Sequence, residues 1–116
     1  MSEQEKSAIE ELEALEKQHA EHMASIRLAA AKSGNAGYTL ELLEPIMVGS
    51  DKRASLHFRA QTIRDIRGHT VDDAFTGALC GLTVDQVQQL SAVDYSACQE
   101  VIAGFHLRRA VGGLAR

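Results

Sequence analysis

Two histidines about one helical turn apart are the first candidates for chemistry in this chain. His19 and His22 could share a metal ion with a nearby side chain such as Glu16 or Met23. The spacing is not that of an HExxH zinc motif, and no third His or Cys lies close in sequence. Helical histidines of this kind are more often surface residues or members of an apolar stripe. We therefore expect no metal and no cofactor.

Three carboxylates, Asp72, Asp73 and Asp94, could in principle serve acid–base catalysis. Asp73 follows Thr70 by three positions and Asp94 follows Ser91 by three, which is the spacing of a helix capping box. Capping therefore explains both residues. The sequence has no glycine-rich phosphate loop, no Ser/His/Asp arrangement and no nucleophile elbow. These observations favour a binding protein over an enzyme.

Composition narrows the class of partner. The 116 residues include two Tyr, three Phe and no Trp, which leaves little for an aromatic-lined ligand pocket or a base-stacking platform. A net charge of −4 argues against a general nucleic-acid binder. The pattern from Val71 to Leu90 is similar to a helix-turn-helix, but its second helix has no Lys or Arg for phosphates. The arginines Arg108, Arg109 and Arg116 fit a helix C-terminus, where they complement the helix dipole.

No stretch approaches the about 18 apolar residues of a membrane span, and the first residues are acidic. We therefore expect a cytosolic protein. Cys80 and Cys98 have no CxxC spacing and lie in apolar helical contexts, which is typical of reduced core residues. A disulfide between them stays open as an alternative.

Residues 1–33 are predicted to form an N-terminal amphipathic helical arm. Glutamates crowd its first half, and Arg27 and Lys32 lie near its end, an order that the helix macrodipole favours. Its apolar stripe recurs at steps of three and four residues and consists of Ile9, Leu12, Leu15, His19, Met23 and Ile26. The stripe is too narrow for a strong coiled coil by itself. The helix either lies across the domain or serves as a docking or self-association arm.

A joint at residues 34–37 separates this helix from a predicted β-hairpin, because Gly34 or Asn35 can adopt the left-handed conformation that ends a helix. From Tyr38 onward, apolar residues alternate with polar ones. Pro45 is expected to end the first strand or to place it at a sheet edge. Residues 48–51 have turn chemistry, and the return strand has the apolar face Leu56, Phe58 and Ala60. A lone hairpin must pack on helices to be stable.

Four capping signals predict short helices with tight corners after the hairpin; they are Thr62 with Asp65, Thr70 with Asp73, Thr83 with Gln86 and Ser91 with Asp94. The predicted helices are Ile63–Arg67, Val71–Cys80, Val84–Leu90 and Ala92–Val111. The expected inward residues are Ile63, Ile66, Ala74, Phe75, Ala78, Leu79, Leu82, Val87, Leu90, Val93, Cys98, Val101, Ile102, Phe105 and Leu107. The fold class is therefore α+β and mostly α: a long helix, and one hairpin packed on three to four short helices in a domain spanning 38–111, followed by a flexible tail, 112–116.

The order of these elements resembles the small tail assembly chaperones of contractile-tailed, Mu-like bacteriophages. The matching motifs are Leu42 to Ile46, Gly49 to Asp51, Leu56 to Arg59, Thr62 to Arg67, Leu79 to Leu82, Val87 to Tyr95 and Glu100 to Phe105. The family often has Pro before the Thr of the turn, where this chain has Ala60-Gln61. The helix before Gly34 is variable or missing in the family.

The resemblance implies a chaperone that acts in the host cytoplasm without catalysis. Such proteins bind the helical, aggregation-prone tape measure protein, keep it soluble and assist tail tube assembly. In many of these phages a ribosomal frameshift adds a longer product that recruits tail tube protein, and the tail after Val111 is a plausible exit point. The competing classes are a structural or adaptor protein of the phage tail and an antitoxin-like, DNA-binding regulator.

Partner binding is expected to use apolar positions of the N-terminal arm and of the last helix. The candidate residues are Leu12, Met23, Ile26, Tyr95, Ile102 and Phe105. Most of these positions could equally belong to the core. A homo-oligomer formed through the N-terminal helix is a further possibility.

Overall fold

A computed structural model describes the backbone of residues 2–60 and 72–114, and the side-chain surroundings of residues 2–60 and 72–108. The described elements are α1 (Glu3–Ser33), a 3-10 turn (Gly34–Ala36), β1 (Tyr38–Val48), β2 (Asp51–Phe58), α2 (Asp73–Cys80), α3 (Val84–Val87) and α4 (Ala92–Leu114). The fold is α+β and mostly helical, as predicted. The predicted helix Ile63–Arg67, its Thr62–Asp65 cap and Thr70 lie outside the described residues. Among the described helices, none is both long and apolar enough to cross a membrane.

Helix α1 begins at a capping serine and ends at a glycine. The Ser2 hydroxyl accepts a hydrogen bond from the Glu5 amide at 3.2 Å, which satisfies one of the free amides of the first turn. Gly34 has a φ of 68°, which L side chains rarely adopt, so the helix stops there as predicted. Only the last third of α1 enters the core, through Met23, Ile26 and Ala30. Residues 2–22 are all exposed.

Helices α1 and α4 run side by side in the same direction. Arg27 pairs with Glu100 at 2.8 Å, and Gly34 lies against Arg108 further along both helices. Between these points, a β-carbon on Gly104 would lie 2.3 Å from the Arg27 carbonyl oxygen. Glycine therefore allows the two backbones to touch at this position. The contact buries the apolar face of the last third of α1 and closes one side of the core.

The strands form a two-stranded antiparallel hairpin whose register shifts in the middle. Val48 pairs with Asp51 across a two-residue turn that begins with Gly49, at a φ of 65°. Between the pairs Glu41–Ser55 and Ile46–Arg53, β1 has four residues where β2 has one. Pro45 lies in this bulge, where the ladder requires no amide donor. Of the two expectations for Pro45, that it ends the strand is wrong, because β1 continues past it to Val48. That it lies in an edge strand is confirmed, because within the described residues the sheet has two strands and each of them is an edge.

The predicted helix bounds differ from the observed ones at three places. Helix α2 begins at Asp73 and not at Val71, because Asp72 is its N-cap and accepts from the Phe75 amide at 2.9 Å. Helix α3 ends at Val87, since the amides of Gln89 and Leu90 bond to carbonyls three residues back and tighten the turn. The Thr83–Gln86 capping box of α3 is confirmed. Helix α4 runs to Leu114, because glycines lower helix propensity by about 1 kcal/mol each without forbidding the helix.

One core contains residues of all three layers: α1, the hairpin and the bundle of α2 to α4. Eight predicted inward positions are buried, namely Phe75, Leu79, Leu82, Val87, Cys98, Val101, Ile102 and Phe105, and Leu90 is half-buried. Four others are exposed, namely Ala74, Ala78, Val93 and Leu107. The inward face of α2 contains Thr76 and Gly77. Gly77 lies so close to the chain after α2 that a β-carbon on it would be 2.3 Å from the Leu82 carbonyl oxygen. Ile63 and Ile66 lie outside the described residues.

Candidate partner-binding surface

The structure separates the six predicted partner-binding residues into core and surface. Four are core residues that are at most 7 % exposed, namely Met23 and Ile26 on α1 and Ile102 and Phe105 on α4. Tyr95 is half-buried, and Leu12 is 61 % exposed. Of these six residues, therefore, only Leu12 and part of Tyr95 are accessible to a partner of the folded chain. Sequence reasoning could not make this separation for α1, because Leu12 and Met23 belong to one periodic stripe.

Several large apolar side chains remain on the surface. They are Ile9, Leu12, Leu15 and Leu28 on α1, Leu43 and Met47 on β1, Val84 on α3, and Val93 and Leu107 on α4. Single exposed apolar residues are ordinary, whereas several on one face of one element indicate a contact surface. Ile9, Leu12 and Leu15 meet that description, since they follow each other at three-residue steps on a helix. We refer to residues 3–22 as the α1 overhang.

Asp94 joins the start of α4 to the bulge of β1. Its carboxylate accepts hydrogen bonds from the Leu43 amide at 2.9 Å and from the Glu44 amide at 3.0 Å. The residue is 2 % exposed, so these bonds satisfy a buried charge as well as two strand amides that the ladder leaves unpaired. Ser91 does cap α4, through its hydroxyl and the Asp94 amide at 3.1 Å. The inference that capping alone explains Asp94 is nevertheless wrong, because its carboxylate binds the strand.

Asp73 has a similar bridging position between helices. Its carboxylate accepts a hydrogen bond from the Tyr95 hydroxyl at 2.8 Å and one from the Gln88 side-chain amide at 3.4 Å. The hydrogen bond to this carboxylate raises the pKa of the Tyr95 hydroxyl. Asp73 therefore links α2 to α3 and α4, and the prediction that it serves as a capping-box acid is wrong. Asp72 takes the capping role.

Asp73, Gln88 and Tyr95 border an open cleft of about 440 Å³. Its lining residues are Asp73, Val87, Gln88, Leu90, Ala92 and Tyr95. Both apolar side chains and hydrogen-bonding groups line it. Asp73 and Tyr95 already bond to each other, and neither is paired with a nucleophile in the described residues.

The two cysteines are free and buried, in agreement with the interpretation that they are reduced core residues. Burial raises the pKa of Cys80 to about 11 and that of Cys98 to about 12. A thiol with so high a pKa is protonated at neutral pH and is a poor nucleophile and metal ligand. Among the described residues, no group of three or more His, Cys, Asp or Glu side chains could hold a metal ion.

Sequence analysis missed the structural roles of Gly104 and Asp94, and only Gly104 had a local signal that could have revealed its role. Gly104 stands inside a strongly helical segment, and an isolated helical glycine often marks a close helix contact. Asp94 was recognised as a helix-start residue, but its strand partners lie 51 and 50 positions away. No local pattern reports a contact at that separation.

Comparison with known protein families identifies a match. The sequence model of a family described as "Phage tail assembly chaperone proteins, E, or 41 or 14" matches residues 39–107. The matched segment contains the hairpin, α2, α3 and most of α4, and it begins after α1 ends. No curated protein and no solved structure matches the chain.

Proposed function

Because the chain belongs to this family of phage tail assembly chaperones, we propose that it binds the tape measure protein of a phage tail. Binding keeps that protein soluble in the host cytoplasm and assists assembly of the tail tube around it. Family membership points to a non-catalytic role and to phage tail proteins as the general class of partner. The match over residues 39–107 is the observation that carries the proposal.

The surface of the molecule supports a binding role. Its net charge is −4, which keeps a complex with an apolar partner from precipitating. Exposed apolar side chains occur on α1, on the bulged strand and on α4, while a closed core supports each of these elements. Such an arrangement lets the chain cover a partner's apolar face without unfolding itself. Helix-in-groove packing is the mode that suits a helical partner.

The direct test is co-expression of the chain with the tape measure protein of the same phage. We expect the tape measure protein to become soluble and to co-elute with the chain in size-exclusion chromatography with light scattering. Ile102→Asp serves as the negative control: Ile102 is only 2 % exposed, so we expect the buried charge to unfold the chain and to abolish the effect. A tape measure protein that stays insoluble beside a well-folded chain would contradict the proposal.

A second measurement separates a chaperone from a structural part of the tail. A chaperone leaves once the tail is complete, whereas an adaptor stays in the particle. Mass spectrometry of purified phage particles should therefore detect tail tube protein and lack this chain. Its presence in stoichiometric amounts would favour the adaptor function.

A further inference from the structure

The exposed apolar residues of the α1 overhang lie on the same face of the helix as the buried ones. Leu12 precedes Met23 by 11 positions and Ala30 by 18, which at about 100° per residue puts all three within about 20° of each other. Met23 and Ala30 are buried, Ala30 against Gly104 of α4, whereas Leu12 is 61 % exposed. The stripe that forms the α1–α4 contact therefore continues outward without a cover.

Helix α4 does not cover the overhang, because its first residue lies beside a later part of α1. Arg27 faces Glu100, an offset of 73 positions, so the first residue of α4, Ala92, lies opposite about position 19 of α1 (92 − 73). Residues 3–18 of α1 extend past this point by about 24 Å, at about 1.5 Å per residue. A second helix laid on Ile9, Leu12 and Leu15 would continue the line of α4.

The charge of the overhang selects the kind of helix that fits. Between residues 3 and 17 the chain has six glutamates and two lysines, namely Glu3, Glu5, Glu10, Glu11, Glu13, Glu16, Lys6 and Lys17. Two copies paired through this segment would bring together twelve glutamates and four lysines, twice the numbers in one chain. Like charges in such proximity oppose self-association, and they equally oppose nucleic acids and anionic membranes. A partner with positive charge is favoured instead.

We propose that the α1 overhang is a docking site for a basic amphipathic helix of a partner protein. The apolar face of that helix covers Ile9, Leu12 and Leu15, and its Lys and Arg side chains flank the stripe and meet the glutamates. The inference rests on the proposed function for one point, namely that the partner is a phage tail protein. The site lies before the family-matched residues 39–107, so it is an addition to the part of the chain that places it in the family.

The test uses two labelled synthetic helical peptides, about three heptads long, with Leu at the a and d positions. One carries Lys and Arg beside the apolar stripe, and the other carries Glu at the same positions. Fluorescence anisotropy with the full chain should show the basic peptide binding at least about tenfold more tightly than the acidic one. Binding should weaken between about 50 mM and about 500 mM salt, because the flanking ion pairs are exposed.

Substitutions within α1 separate docking on the stripe from attraction by charge alone. The double variant Leu12→Asp with Leu15→Asp makes the overhang more acidic and removes its apolar contact. Docking on the stripe predicts at least about tenfold weaker binding of the basic peptide, whereas charge attraction alone predicts tighter binding. Leu28→Asp is the matched control: Leu28 is 51 % exposed but lies about 160° around the helix from Leu12. It should leave binding unchanged.

Three outcomes would overturn the proposal. They are equal affinity for the two peptides, undiminished binding by the double variant, and a dimer of the free chain in light scattering that the double variant abolishes. The last of these would identify a second copy as the occupant. Failure here is distinguishable from failure of the proposed function: a double variant that still solubilises the tape measure protein leaves the chaperone function intact and removes only the overhang from its binding surface.

Discussion

At the scale of single residues, Asp94 is the side chain that connects α4 to the bulge of β1. One carboxylate satisfies two amides of an irregular strand, and the same residue forms the first turn of α4. The bulge that it holds presents Leu43 to solvent at 70 % exposure, next to Glu44 and Pro45. Bulges frequently re-aim side chains at functional sites. The shape of this part of the surface therefore depends on a residue that is itself buried.

We expect Asp94→Ala to lower the free energy of unfolding by about 2–4 kcal/mol, because it removes a carboxylate that accepts charge-assisted hydrogen bonds from two strand amides. Asp94→Asn should lose less, since an amide oxygen can still accept one of the two bonds. Urea denaturation followed by circular dichroism measures both. Asp85→Ala is the control, because Asp85 also lies in the first turn of a helix but is exposed; it should change stability by less than about 1 kcal/mol. Equal losses for Asp94→Ala and Asp85→Ala would contradict the assigned role.

Sequence patterns predicted local features well and distant contacts poorly. The alternation of Leu40 and Leu42 with Thr39 and Glu41 predicted the buried face of β1, and the Thr83 capping box is present as expected. Both depend on residues within a few positions. The partners of Asp94 and the burial of Met23 depend on chain segments at least 50 positions away, and no periodicity within one element contains that information.

At the scale of elements, the contact between α1 and α4 decides which part of the long helix belongs to the fold. A periodic stripe predicted α1 correctly, but the stripe is uniform along the helix and could not show which part of it α4 covers. The covered part is set by where α4 begins, and Ser91 caps the first turn of α4. The surface ion pair between Arg27 and Glu100 adds little to this contact, since both side chains are partly exposed. Apolar burial and the close approach at Gly104 dominate.

Gly104→Ala tests the closeness of this contact. In a free helix the change would stabilise by about 1 kcal/mol, since alanine is the better helix former. Here the added methyl group would lie 2.3 Å from the Arg27 carbonyl oxygen and 2.8 Å from the Ala30 β-carbon. We therefore expect a net loss of about 1–3 kcal/mol in unfolding free energy, measured by urea denaturation.

Ala103→Gly provides the comparison for Gly104→Ala, because it changes helix propensity at the neighbouring, half-buried position. It should lower stability by about 1 kcal/mol through helix propensity alone. A gain in stability from Gly104→Ala would show that α1 and α4 are further apart than described.

At the scale of the whole molecule, the two buried thiols connect stability to alkaline pH. Their ordinary pKa is 9.0, and burial raises the pKa to about 11 for Cys80 and about 12 for Cys98. The unfolded chain therefore loses these protons at lower pH than the folded chain. Stability from this source is fully present below pH 9 and is lost as pH rises toward 11 and 12.

The expected decline above pH 9 is about 1.4 kcal/mol per pH unit for each thiol. Urea midpoints between pH 8 and pH 11 measure it, and the double variant Cys80→Ala with Cys98→Ala should show a flatter slope over the same interval. Slopes are compared because the variant also loses packing, which lowers stability at every pH. Identical slopes for the two proteins would contradict the raised thiol pKa values.

Helices α1 and α4 pack together although they are far apart in sequence, so α1 is synthesised well before the helix that covers it. Met23 is synthesised 82 positions (105 − 23) before Phe105, one of the residues that completes the core with it. At about 5–20 residues per second, the apolar face of the newly made α1 waits about 4–16 s for its cover. The first third of the nascent chain is thus itself an uncovered amphipathic helix, and its last helix is the one that covers it.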